Sequence, residues 1–165
     1  MRVNDYFSNP IHRHDLERVI DSWRETPYMH GKAVKGRGVD CSLLIGECFK
    51  EIGVIKKIKH DYYPQNWYLF SRVQFLIDSL IDNWTDNFCD GISIKHYEYS
   101  KDIELVYGDI LVFCLMKNSP VKTHLGFYTG DDTMVHSIQK RNVSSIQLGN
   151  YFINKLTDIF RVLGD

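Results

Sequence analysis

The chemistry open to this chain is read first from one cysteine and two histidines. Cys41 opens a helix-shaped run, Gly38-Val39-Asp40-Cys41-Ser42-Leu43-Leu44, and far downstream lies a strand-like segment, Thr123-His124-Leu125-Gly126-Phe127-Tyr128. His136 follows 12 positions after His124. A thiol at a helix N-terminus meets free backbone N–H groups and the positive end of the helix dipole, and both favour a thiolate. A histidine on a rigid strand can exchange a proton with such a thiol, and a second polar ring can orient the first. Taken singly, Cys41 reads more readily as a core cysteine and each histidine as a structural one. Together they point to a cysteine nucleophile.

The elements that must position these residues are legible from periodicity. Leu16, Val19, Ile20 and Trp23 stand at helical spacing, so the segment from about Asp15 to Arg24 is expected to be an amphipathic helix that Thr26-Pro27 ends. Residues 30–38 form a Gly/Lys-rich loop. The next helix is the best marked: Asp40 caps it, Cys41, Leu44, Ile45, Cys48, Phe49 and Ile52 make one stripe, and Gly53 stops it. Cys48, on that stripe, and Cys114, in an apolar run, read as core fillers; Cys89 carries no motif.

The section from about 54 to 107 holds an aromatic stretch (Tyr62, Tyr63, Trp67, Tyr68) that can stack on sugars, dock a partner or, most simply, pack inside. A helical stripe follows from Leu69 through Val73, Leu76, Ile77 and Leu80 to Trp84, then a partly alternating segment from Ile92 to Tyr99. After Gly108-Asp109 the period changes. Ile110 to Met116 suits a buried strand, Thr123 to Thr129 and Thr133 to Ile138 flank a Gly130-Asp131-Asp132 turn, and Thr157 to Leu163 suits a last strand. Helices first and strands later predict an α+β domain with an antiparallel sheet. Residues His124, Gly126 and Tyr128 share one strand face, as do Met134, His136 and Ile138, so a hairpin can set the two imidazoles side by side. Gly126 is expected to leave room beside the His124 ring.

Composition narrows the field. The 165 residues suit one domain spanning 1–165, with a 54–107 insertion between nucleophile and base. A net charge of -1 and a pI near 6.6 argue against nucleic-acid binding by phosphate neutralisation. The first 20 residues lack the apolar core of a secretory signal, and no stretch is long enough to span a bilayer. The expectation is a chain made in the cytoplasm without a leader. Four cysteines without a Cys-x-x-Cys spacing, and His12 and His14 without a second ligand pair, predict neither a disulfide framework nor a metal site.

At Asp40-Cys41-Ser42-Leu43-Leu44, His124-Leu125-Gly126-Phe127-Tyr128, His136 and Gly108-Asp109-Ile110-Leu111 the chain resembles the NlpC/p60 family of cysteine peptidases. Trp23-Arg24-Glu25-Thr26-Pro27-Tyr28 and Lys35 to Cys41 look like its phage-tail and gene-transfer-agent branch. The resemblance implies a papain-like fold, N-terminal helices packed on an antiparallel sheet. It also implies hydrolysis of peptidoglycan stem peptides, at the D-glutamyl–diamino acid link, with Cys41, His124 and His136 catalytic and no cofactor. Tyr28, Asp40 and Ser42 become candidate substrate-binding residues, although Asp40 is first a cap and Tyr28 reads equally as an aromatic packed under the loop. Partners implied are the stem peptides and phage-like tail tip or hub proteins. A structural tail subunit with little activity, and a Cys-His acyltransferase or deamidase, are the alternatives. One position departs from the family pattern: Leu43 stands where a glycine is usual, and it is expected to crowd the first helical turn or reshape the cleft.

Overall fold

The computed structural model describes residues 4–58, 65, 78, 84 and 86–165. Helix α1 (Pro10–Trp23) begins earlier than periodicity predicts, because Asn9 caps it by accepting from the Ile11 N–H at 2.9 Å and Pro10 supplies a preset first-turn φ. Leu16, Val19, Ile20 and Trp23 are its buried face. It ends before Pro27, with Glu25 in the left-handed region at φ 64°. Helix α2 (Cys41–Glu51) buries Cys41, Leu43, Leu44, Ile45, Gly46, Cys48 and Phe49. Ile52 is its C-cap, and Gly53 at φ 78° turns the chain away.

Strands follow in chain order: β1 (Asn4–Asp5), β2 (Ala33–Val34), β3 (Gly38–Val39), β4 (Ser93–Glu98), β5 (Ile110–Phe113), β6 (His124–Gly130), β7 (Thr133–His136), β8 (Ser144–Gln147) and, after a short helix α3 (Asn150–Ile153), β9 (Leu156–Gly164). Among the described residues they form one antiparallel sheet in the order β1-β9-β5-β6-β7-β8, with β4 also on β9, beside a separate β2–β3 hairpin. The β6–β7 turn places Gly130, Asp131 and Asp132 at φ 86°, 49° and 52°, the left-handed backbone that a tight hairpin requires and that Gly and Asp tolerate.

Strands β1 and β8, the β2–β3 hairpin at the expected 30–38 loop, and helix α3 are additions to the elements expected from sequence, whereas β4 to β7 and β9 lie where alternation and apolar runs put them. The run beginning at Ile110 stops as a strand at Phe113, where the ladder with β9 shifts register. The aromatics Tyr62, Tyr63, Trp67 and Tyr68 and the stripe from Leu69 to Leu80 lie outside the described residues. Trp84 is buried against Phe49, with ring centroids 5.7 Å apart.

The sheet has two apolar faces. On one, Ile110, Val112, Leu125, Phe127 and Val135 pack against α1 and α2, with Phe49 meeting Phe127 at 5.5 Å. On the other, Leu111, Phe113, Tyr128, Met134 and Ile159 form a second cluster joined by Phe152. Arg161 on β9 and Asp109, just before β5, close a two-pronged ion pair, both bonds 2.8 Å, with the Asp109 side chain fully buried. The second Arg161 prong also donates to the Glu104 carbonyl.

Removing one partner of such a pair strands a buried charge, which costs about 3–5 kcal/mol. Arg161→Leu is expected to lower unfolding stability by that order in urea melts, and a loss under about 1 kcal/mol would show that the pair is energetically idle.

Candidate active site

Three strand-like segments meet behind the thiol. Residues 26–28 run between the Val39 region and residues 141–143: the Val39 N–H donates to the Pro27 carbonyl at 3.0 Å, the Tyr28 N–H to the Arg141 carbonyl at 3.0 Å, and the Val143 N–H to the Thr26 carbonyl at 2.8 Å. Buried Ser137, next to His136, donates its hydroxyl to the Val39 carbonyl at 2.7 Å. Ser137 thus ties the chain that carries His136 to the loop that precedes Cys41. Neither Ser137 nor Thr26, whose hydroxyl accepts from the Gly36 N–H, carries a sequence signal that would have singled it out.

Asp40 caps α2, as expected, by accepting from the Leu43 N–H at 2.8 Å. It does more: the same oxygen accepts from the Ser42 hydroxyl at 3.1 Å, and the other accepts from the Gly31 N–H at 2.9 Å. With 1 % exposure the carboxylate is chiefly a clamp between the Gly31 turn and the helix start. Tyr28 is half-buried and bridges Val39 through its backbone. The Leu43 side chain is buried in the core shared by α1 and α2.

Cys41 is the first residue of α2 and 7 % exposed. Its sulfur is faced by the backbone N–H groups of Leu125, Ser42 and Cys41 itself, so the thiol lies against the peptide that follows His124. Those donors, with the helix terminus, pull toward the thiolate. Burial pulls harder, the Asp40 carboxylate adds to it, and the thiol is pushed up to about 12. Cys48 is also driven upward by burial, as befits a core filler.

The β6–β7 hairpin brings His124 and His136 together. His124 Nε2 and His136 Nδ1 are 2.7 Å apart, with the rings edge to face at 4.9 Å and 72°. Burial lowers His124 to about 3, with the neighbouring His136 adding to the effect, and lowers His136 to about 4, with the Arg141 charge adding there. The pair is therefore neutral at ordinary pH, joined by one N–H and one lone pair. Burial thus opposes the thiolate–imidazolium state that the helix terminus alone favours. Gly126 also serves differently from expectation. A Cβ there would lie 2.4 Å from Met134 Sδ, so the glycine admits Met134 rather than leaving free space beside His124.

Just ahead of β6, Lys122 pairs with Asp158 at 2.8 Å, and the other Asp158 oxygen meets His96 Nε2 at 2.7 Å. Burial raises the Asp158 carboxyl, but hydrogen bonds from Lys122, Thr157 and His96 outweigh it and hold the group below its usual range. This pins the approach to His124 to β9. Among the described residues no group of His, Cys, Asp and Glu side chains is placed to hold a metal, and no helix is long and apolar enough to cross a membrane.

A sequence profile described as the NlpC/P60 family matches residues 25–161. No curated protein matches the chain. Similar solved structures include an NlpC/P60 family protein from Bacillus cereus (20% identity, TM-score 0.57, covering 88% of this chain and 38% of that one). NlpC1 from Trichomonas vaginalis is another (16%, 0.57, 94% and 45%). A third is the NlpC/p60 domain of the peptidoglycan hydrolase SagA (16%, 0.50, 90% and 96%). The chain thus spans less than half of the first two and nearly all of the isolated SagA domain. At these identities the likeness is one of fold, a papain-like α+β arrangement of helices on an antiparallel sheet.

Both imidazoles bind fewer protons folded than unfolded between about pH 4 and the ordinary histidine value near 6.5. Stability from this source is complete above that window and falls as pH drops through it, at up to about 1.4 kcal/mol per unit per histidine. Urea midpoints measured across the window should decline toward acid, and more shallowly in His136→Asn. A flat wild-type profile would contradict the dry, neutral pair.

Proposed function

Because the chain belongs to the NlpC/P60 family, we propose that it is a cysteine peptidase that cleaves amide bonds in the stem peptides of bacterial peptidoglycan. The observation that carries this reading is the hydrogen-bonded imidazole pair beside the strand peptide that faces the Cys41 thiol. That SagA is a peptidoglycan hydrolase supports the substrate class.

Cys41 is the nucleophile in this mechanism. For His124 to act as its base, Nδ1 must hold the lone pair, which requires His124 Nε2–H to donate to His136 Nδ1. His136 therefore selects the working tautomer and steadies the imidazolium as it forms. With thiol and imidazole both neutral at rest, proton transfer accompanies attack on the carbonyl instead of preceding it. The N–H groups of Cys41 and Ser42 at the start of α2 are the donors for the developing oxyanion. His124 then protonates the leaving amine, and water releases the acyl group from Cys41. In this reading Tyr28 and Ser42 contact the substrate, and its ammonium reaches Asp40 in exchange for the Ser42 hydroxyl bond.

The resemblance extends the proposal to the D-glutamyl–diamino acid link, and the motifs at residues 23–28 and 35–41 to a role within a phage-like tail. A second reading, a tail subunit that keeps the fold with little activity, is favoured by one observation: a thiol only 7 % exposed and held un-ionised. Group transfer or deamidation by the same pair would show in the products.

Purified peptidoglycan incubated with the protein and examined by mass spectrometry should yield new stem-peptide fragments. Cys41→Ala and His124→Ala are expected to abolish them, while His136→Ala, which loses orientation but not the base, should lower the rate about 10²–10⁴-fold. Full activity in Cys41→Ala would refute the mechanism. Failure of wild type on several wall types would favour the structural role, and transferred groups or lost ammonia the alternative chemistry.

A further inference from the structure

Four rings close a circuit on the sheet face opposite α2. His124 lies 4.9 Å from His136, His136 5.8 Å from Phe152, Phe152 5.5 Å from Phe113, and Phe113 6.0 Å from His124. Phe113, His124 and His136 come from β5, β6 and β7; Phe152 alone comes from outside the sheet, on α3. The two apolar rings therefore wall the hydrogen-bonded polar pair on this side. Phe113 is fully buried core, whereas Phe152 is half-buried and sits next to the exposed Tyr151. It is the member of the circuit that stands between His136 and solvent.

Other groups around the pair are few. Arg141, following β7, supplies the charge felt by His136, and Cys41 lies against Leu125 beyond His124. On α3 itself the neighbouring polar groups are Tyr151 and, beyond the helix, Lys155, whose ammonium sits over the Tyr151 ring at 5.1 Å. Among the described residues, burial, the Arg141 charge and the rings' mutual contact set the state of the pair.

We propose that Phe152 is a positioning residue for the imidazole pair: its ring seals the His124–His136 hydrogen bond from water and holds His136 edge-on in the orientation that selects the His124 tautomer. The ring acts through His136, on which it packs. The edge-to-face packing at 80° restrains rotation of the His136 ring, and an apolar cover denies the pair competing water partners. The ring contacts and the seal are independent of the peptidase reading, whereas the consequence for catalysis rests on it.

The test is a histidine-selective NMR titration of the full chain. In wild type the His136 imidazole should stay neutral well below the ordinary histidine midpoint. Phe152→Ala is expected to raise that midpoint by about one unit or more, while Phe152→Leu, which keeps an apolar cover, should titrate like wild type. If the alanine variant does not fold, Phe152→Gln, which keeps volume but admits water, should show the same rise. An unshifted midpoint in a folded Ala or Gln variant overturns the proposal. Where hydrolysis is measurable, the acid limb of kcat/KM should move with the midpoint. A shifted titration in a protein that cleaves nothing would uphold Phe152 while removing the peptidase reading.

Discussion

The organisation of the site depends on one hydrogen bond held in a dry place, between His124 Nε2 and His136 Nδ1 at 2.7 Å. Two imidazoles can share a proton at this distance only if one donates and the other accepts, so the contact forbids both rings from being protonated at once at these nitrogens and couples their tautomers. The β6–β7 hairpin supplies the register. The left-handed turn at Gly130, Asp131 and Asp132 returns the chain tightly enough for His136 to reach His124. Ser137 then ties the end of that hairpin to the Val39 carbonyl, two residues before the thiol. Misplacing any of these would separate the imidazole pair from the loop that precedes Cys41.

Burial and the helix terminus compete at Cys41, and the competition sets the ionisation of the thiol. The dipole and N–H groups of a helix start favour a thiolate by an amount on the order of 1 kcal/mol when exposed, somewhat more when partly buried. Removing an ionised sulfur from water costs several times that. The Asp40 carboxylate, present because the helix needs a cap, lies on the unfavourable side as well. Burial wins at the thiol, as it does at the two imidazoles.

Much of this was legible in the sequence for a physical reason. Period and punctuation fix elements locally: the Asp40 cap and Gly53 stop bound α2, and alternation around Gly130-Asp131-Asp132 gives the hairpin with its two histidines. What was not legible depends on contacts between distant segments. Nothing local marks Ser137 as the partner of Val39, or Phe152, on a helix of one turn, as the cover of His136. The Leu43 substitution looked like a cleft change but is a core change, because the side chain follows the buried stripe of α2. Gly126 looked like space for a ring and is filled by Met134 from the next strand. The ionisation of Cys41 follows from its neighbours in space, and these the sequence does not rank.

The central claim is that burial, against the pull of the helix terminus, keeps Cys41 a thiol in the resting protein. The most direct measurement is the ultraviolet absorbance of the thiolate as a function of pH, taken as the difference between wild type and Cys41→Ala. The account predicts no thiolate signal through the neutral range, with ionisation rising only far to the alkaline side, toward about 12. A thiolate signal already complete near neutral pH would contradict it and restore the resting ion pair.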